Sequence, residues 1–125
     1  MSIPVNLRYS KSHEWLLDTG SGCRIGITDF AREALGDIVY VGLPSVGDAV
    51  TIGAPCAEIE SVKAVAEIYS PVTGRVTAVN DALLDAPEAL GENAYEAWLI
   101  EVEATETEEL LDADAYAAFL EEQSK

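Results

Sequence analysis

Three residue types in this chain could do chemistry beyond simple packing: an isolated lysine, two cysteines and one histidine. Only three lysines occur, and Lys11 and Lys125 lie near the ends. Lys63 therefore stands alone in the body, in Ile59-Glu60-Ser61-Val62-Lys63-Ala64-Val65, between two apolar-rich segments. An ordinary lysine amine is protonated at neutral pH. It becomes a Schiff-base nucleophile only where burial or a neighbouring cation favours the neutral form. Glu60, the nearest charged residue in sequence, acts the other way, and Arg75 is twelve positions off. A catalytic amine is a poor fit. Two readings remain, a solvated turn lysine or a handle for a covalent group, and taken alone the residues favour the first. A handle needs an exposed amine, a rigid backbone and small neighbours, and Val62, Ala64 and Val65 meet the last need. Cys23 and Cys56 are thirty-three residues apart with no Cys-x-x-Cys. Two Cys and one His fall short of the four ligands of a structural zinc site. Cys23 alternates with Ile25 and Ile27 and reads as a small core residue. The chain thus has no dithiol motif of its own.

The elements that must position Lys63 are mostly strands. Cys23, Ile25 and Ile27 alternate with Arg24 and Gly26, and Trp98, Ile100 and Val102 alternate with Leu99, Glu101 and Glu103, the period of half-buried strands. Ile38-Val39-Tyr40-Val41 is apolar throughout and is expected to be buried on both faces. Further strands are expected near 6–9, 13–18, 56–62, 65–69 and 74–79, separated by Gly, Pro, Ser and Asp turns. A helix is expected over 29–35, with Thr28 as N-cap, Gly36 past its end, and Phe30, Ala31, Ala34 and Leu35 as its apolar stripe. A second is expected over 113–121, capped by Asp112 and burying Tyr116, Phe119 and Leu120. Residues 105–111 are expected to add another helical turn. Trp15, Tyr40 and Trp98 read as core aromatics, Gly74 as a turn residue after Pro71, and Arg75 as the partner of a local carboxylate. Residues 36–41 faintly resemble 73–79, and Lys63 falls at the junction of the two units, where a hairpin tip would stand. Short strands with regular turns argue for a β-sandwich or barrel.

Composition sets outer limits. The 125 residues fit one domain, and 49% are hydrophobic, enough for a core without staples. No apolar run approaches a membrane span, and the first residues resemble neither a signal nor a transit peptide. The expectation is a cytoplasmic protein of bacterial type, with a processed mitochondrial matrix chain as the lesser alternative. The formal net charge is −16. From Asp81 to Gln123 there are fourteen Asp or Glu and no Lys or Arg. Nucleic acid and anionic membranes are therefore excluded as expected partners, since both require basic clusters. An acidic surface instead steers toward basic faces.

Several segments, in order, carry a resemblance. They are His13-Glu14-Trp15, Gly26-Ile27-Thr28-Asp29-Phe30-Ala31, Leu35-Gly36-Asp37-Ile38-Val39-Tyr40-Val41 and Leu43-Pro44-x-Val46-Gly47. Then follow Glu60-Ser61-Val62-Lys63-Ala64-Val65, Ser70-Pro71-Val72-Thr73-Gly74-Arg75-Val76 and Val79-Asn80. Over roughly residues 7 to 121 the chain resembles the H protein of the glycine cleavage system, a lipoyl carrier. Ser-Val-Lys-Ala is that family's lysine context, against Ala-Met-Lys-Met in biotin carriers and Thr-Asp-Lys-Ala in lipoyl domains of 2-oxo acid dehydrogenases.

The resemblance implies a single lipoyl-carrier domain over 1–125: N-terminal strands at 6–18, a core over about 20–103 and a C-terminal helical segment over about 105–121. It implies a mainly β, lipoyl-domain-like flattened barrel or sandwich with the lysine at a hairpin tip. Lys63 would carry lipoate in amide linkage, within an attachment context of Glu60, Ser61, Val62 and Ala64. His13 and Glu14 would lie near the arm. The implied partners are a pyridoxal-phosphate glycine decarboxylase, a tetrahydrofolate-dependent aminomethyltransferase, dihydrolipoamide dehydrogenase and a lipoate ligase or lipoyl transferase. The carrier would tether the aminomethyl cargo between them and catalyse nothing itself. A relay of lipoate to other enzymes is the alternative role. One segment departs from the family pattern. Gly91-Glu92-Asn93-Ala94-Tyr95-Glu96-Ala97-Trp98 lacks the Pro and two glycines usual before the last strand, so that loop is expected to differ locally.

Overall fold

The computed structural model describes residues 3–123. Two antiparallel sheets face each other. Six strands lie in the order β1 (Arg8–Tyr9), β2 (Glu14–Asp18), β3 (Cys23–Ile27), β9 (Ile100–Thr107), β8 (Val72–Val79) and β5 (Ala49–Val50). Three more, β4 (Ile38–Gly42), β6 (Pro55–Ser61) and β7 (Val65–Tyr69), form the second sheet. Both sheets stay open, so the fold is the sandwich rather than the closed barrel. Ile25, Val76 and Val102 from one sheet and Val41, Ile59 and Ile68 from the other share one core. Cys23 sits in it, as its alternation with Ile25 and Ile27 predicts.

The helices follow local chemistry. α1 (Asp29–Leu35) begins where Thr28 Oγ1 accepts from the Ala31 amide, and ends at Gly36, whose φ of 79° suits a residue without a Cβ. α4 (Ala113–Gln123) begins where Asp112 Oδ1 accepts from the Ala115 amide at 2.8 Å. Tyr116 is fully buried from α4, with Phe119 and Leu120 partly covered, against Leu7, Tyr9 and Trp15. Two one-turn helices absent from the sequence reading, α2 (Ala82–Asp85) and α3 (Glu88–Glu92), bury Leu83 and Leu90.

Several expectations are corrected. Residues 105–111 are not helical: Thr107 pairs with Val72 and Glu106 with Thr73, extending β9, and Leu111 forms a bridge with Tyr9. β4 is not buried on both faces. A bulge between Ile38 and Tyr40 sends Val39 and Tyr40 both outward, so Tyr40 is 50% exposed and is no core aromatic. Trp15 is core. Trp98 is only half-buried, with the Arg24 guanidinium 4.8 Å from its ring centre. Ala34 is exposed, leaving Leu35 as the buried residue of α1. Gly74 serves no turn. It lies inside β8 at a bulge against β9, where a Cβ would meet Ala104 Cα at 2.9 Å and the Glu103 carbonyl closer still. Arg75 donates to the Gly47 carbonyl at 2.8 Å rather than to a carboxylate.

Candidate functional site

Lys63 occupies the tip of the β6–β7 hairpin, as the sequence places it. The tip is held from several sides. The Ser61 amide donates to the Ala64 carbonyl at 2.8 Å. Ser61 Oγ accepts from the amides of Lys63 at 3.3 Å and Ala64 at 3.1 Å, and donates to the Ala64 carbonyl. The Val62 amide donates to the Asp37 carbonyl at 3.0 Å, tying the tip to the segment between α1 and β4. Ser61 is buried, whereas Val62, Lys63 and Ala64 are exposed. A serine side chain inside the turn therefore fixes the backbone while leaving the amine free. The lysine stem runs over the end of α1: its Cε lies 3.5 Å from where a Cβ on Gly36 would stand. No carboxylate of the described residues lies within salt-bridge distance of its amine.

Glu60 sits in β6 opposite Tyr40 and Val65. Its side chain points outward, on the face opposite buried Ile59 and Ser61.

Glu14 is elsewhere. It is fully buried, and its Oε1 accepts from Ser10 Oγ and Ser12 Oγ while Oε2 accepts from the Tyr69 amide at 3.3 Å. Burial pushes its carboxyl above the usual range, the three hydrogen bonds pull it back, and Glu108 adds repulsion. Tyr69 ends β7 and Lys63 lies two residues before the strand begins, so Glu14 and the lysine stand beyond opposite ends of one strand, roughly 20 Å apart along the chain. They do not touch. The sequence reading named neither Ser10 nor Ser12; the alternation Ser10-x-Ser12-x-Glu14 in a turn was the available signal.

His13 faces another way. Its φ of 72° makes it the only non-glycine with positive φ among the described residues. Its ring lies 4.4 Å from that of Phe30, and its Nδ1 is 2.8 Å from Tyr116 Oη, which in turn lies 2.7 Å from Thr28 Oγ1. Burial lowers its pKa. This histidine joins α4 to the start of α1.

The 91–98 stretch is ordered without its family glycines. The Asn93 carbonyl accepts from the Glu96 and Ala97 amides, buried Ala94 accepts from Trp15 Nε1 at 3.0 Å, and Asn80 Nδ2 donates to the Trp98 carbonyl at 2.8 Å.

The protein's own sulfur is poorly suited to thiol chemistry. Burial, the largest cause at each, pushes the Cys23 thiol up to about 11 and the Cys56 thiol up to about 12. The described residues contain no group of three or more His, Cys, Asp or Glu side chains arranged to hold a metal. No helix among them is long and apolar enough to cross a membrane. What the arrangement offers is one rigidly presented, unpaired amine.

Comparison with known proteins agrees. Residues 7–123 match the glycine cleavage H-protein family. The glycine cleavage system H protein of Anaeromyxobacter sp. strain K is 50% identical over 98% of this chain and 99% of its own. That of Oceanobacillus iheyensis is 48% identical over 98% and 100%. The crystal structure of a glycine cleavage system H protein from Mycobacterium marinum superposes with a TM-score of 0.87 at 37% identity, covering 98% of this chain and all of that one. The chain belongs to the glycine cleavage H-protein family, whose members are non-catalytic carriers holding lipoate covalently on a lysine.

Proposed function

We propose that Lys63 is the lipoyl attachment residue through which this carrier of the glycine cleavage system works. The observation that carries this reading is the tip itself: an exposed amine on a turn pinned by Ser61 and Asp37, flanked by small residues. These residues fit an acylated lysine. The turn's hydrogen bonds use backbone and Ser61 atoms only, so amide formation at Nζ disturbs none of them. When bound, the lipoyl group supplies the disulfide–dithiol pair on which the aminomethyl cargo rides, chemistry that buried Cys23 and Cys56 are poorly placed to supply.

The partners follow from the role. The decarboxylase loads the carrier, and the folate-dependent aminomethyltransferase unloads it. In our reading dihydrolipoamide dehydrogenase restores the disulfide and a lipoate ligase or lipoyl transferase attaches the group, in the cytoplasm. The protein's contribution is to hold the cargo at high effective concentration for each visit. Glu14 is the buried carboxyl we assign to the cargo's amino end, since a cationic amine beside it would favour loss of its proton and form a charge-assisted hydrogen bond out of water. His13 is assigned to the α1–α4 contact instead. A departure from the family pattern in 91–98 would be the ground for the relay alternative. That stretch is folded and anchored to Trp15, and nothing in it favours a relay.

The test is reconstitution with the decarboxylase. Lipoylated protein is expected to take up the aminomethyl group from glycine, and Lys63→Arg to take up none. Equal loading of the Lys63→Arg variant would overturn the assignment.

A further inference from the structure

Among the described residues the outer face of the β4-β6-β7 sheet is open: Val39, Tyr40, Glu58, Val65, Glu67 and Tyr69 are all exposed. The bulge in β4 turns Val39 and Tyr40 outward together, although their period in an unbroken strand would hide one of them. Tyr40 lies flat on this face. Its ring passes over Gly42, where a Cβ would stand 3.2 Å from Tyr40 Cε2. Tyr40, Glu60 and Val65 form one row across the three strands, and Gly42, Glu58 and Glu67 form the next. Val62, at the tip, is 70% exposed and Val65 62%. The face is thus an apolar strip of valines and a tyrosine, set with Glu58, Glu60 and Glu67 and leading to Lys63. The lysine is the only basic residue on these three strands and their connecting tip. Contiguous exposed apolar surface with a charged rim marks a docking site.

We propose that this face is the docking surface for the enzyme that acylates Lys63, with Tyr40 as the anchoring side chain. The inference rests on Lys63 being the attachment residue and names which partner covers the face around it. Two arguments select that partner. Enzymes that load, unload or reoxidise the carrier act at the far end of a long arm and need not touch the tip. The attaching enzyme must bring its reacting centre to Nζ itself, and so must bury the surface around it. There the amine gives up a proton and attacks the carbonyl carbon of an activated lipoyl donor. The new C–N amide bond replaces the bond to the leaving group, which departs with its electron pair, and nothing is oxidised or reduced. Charge supplies the second argument. Three carboxylates with no cation but the reacting lysine fit an apolar surface rimmed by Lys or Arg. Aromatic side chains are enriched among the few residues that carry most of an interface's binding energy, and Tyr40 is the large one beside this row of carboxylates.

Steady-state acylation of the unmodified protein by purified lipoate ligase, with its lipoyl donor, tests this. Tyr40→Ala is expected to raise KM about tenfold with kcat unchanged, and Val65→Ser to raise it less. Glu58→Gln/Glu67→Gln is expected to weaken the salt dependence of KM. Val5→Ser, at an exposed valine outside this face, is expected to match the wild type. Thermal unfolding is the check that each variant is folded. A KM for Tyr40→Ala within twofold of wild type, with Lys63 still the modified residue, overturns the docking face and leaves the attachment residue standing. Wild-type protein acylated elsewhere overturns both. If Tyr40→Ala instead impairs aminomethyl loading of protein already lipoylated, or breaks up a dimer of the wild type, the face belongs to the decarboxylase or to a second copy, and the proposal fails.

Discussion

Gly26→Ala is expected to damage the support of the 91–98 stretch without touching the lysine tip. Gly26 in β3 pairs with Trp15 in β2. A Cβ there would stand 2.5 Å from Trp15 Cζ2 and 2.6 Å from Nε1. The indole cannot yield freely, because it is 2% exposed and bonded to the Ala94 carbonyl at 3.0 Å. Overpacking of this kind costs about 1–3 kcal/mol, and displacing the indole forfeits a hydrogen bond of about 1 kcal/mol. The lower entropy of an unfolded alanine chain returns about 0.4–1 kcal/mol. The net loss is about 1–3 kcal/mol. At about 2.1 cal/mol/K per residue, 125 residues unfold with about 0.26 kcal/mol/K, so Tm falls by about 4–12 °C. Thermal melts followed by circular dichroism and tryptophan fluorescence read both the loss and the altered indole environment. A Tm within about 2 °C of wild type, with unchanged fluorescence, would refute the claim that Trp15 is locked between Gly26 and Ala94.

Other outcomes follow from the same geometry. Ser61→Ala removes the acceptor of two tip amides; acylation of Lys63 is expected to slow several-fold, with the global melt shifted little. Tyr116→Phe is expected to cost about 1–2 kcal/mol and to raise hydrogen exchange in α4 and α1, because the hydroxyl bridges His13 and Thr28. Glu14 has a raised folded pKa, so its contribution to stability is fully present below the unfolded value of about 4.3 and is lost as pH rises through the folded one. Urea titrations across pH are expected to show a smaller loss of stability above about pH 4.3 in Glu14→Gln than in wild type, and a parallel pair of profiles would contradict this. His13 has a lowered folded pKa. Its contribution is present above about pH 6.5 and lost as pH falls toward the folded value, a slope that His13→Gln is expected to remove.

What the sequence made legible was what local chemistry decides. Thr28 and Gly36 bounded α1, Asp112 opened α4, and alternation through Cys23, Ile25 and Ile27 marked the core face of β3. The lysine tip was legible because strand patterning stops on either side of it. Non-local pairing hid the rest. Thr105 to Thr107 lie in an acidic run suited to a helix, yet β8 recruits them into a ladder. Tyr40 looked like core because a bulge has no period to detect. The one-turn helices α2 and α3 are too short to show an apolar stripe. Glu14 was named, but its burial was not foreseen. Its partners come from the preceding turn and, through the Tyr69 amide, from a strand 55 positions away.

The central claim is that Lys63 carries the lipoyl group. Peptide mapping by mass spectrometry, on protein from a lipoate-competent host, tests it most directly. The account predicts a lipoyl mass on the peptide containing Lys63, absent from Lys11 and Lys125 and lost in Lys63→Arg. An unmodified Lys63 in a host whose other lipoyl proteins are fully modified would contradict it.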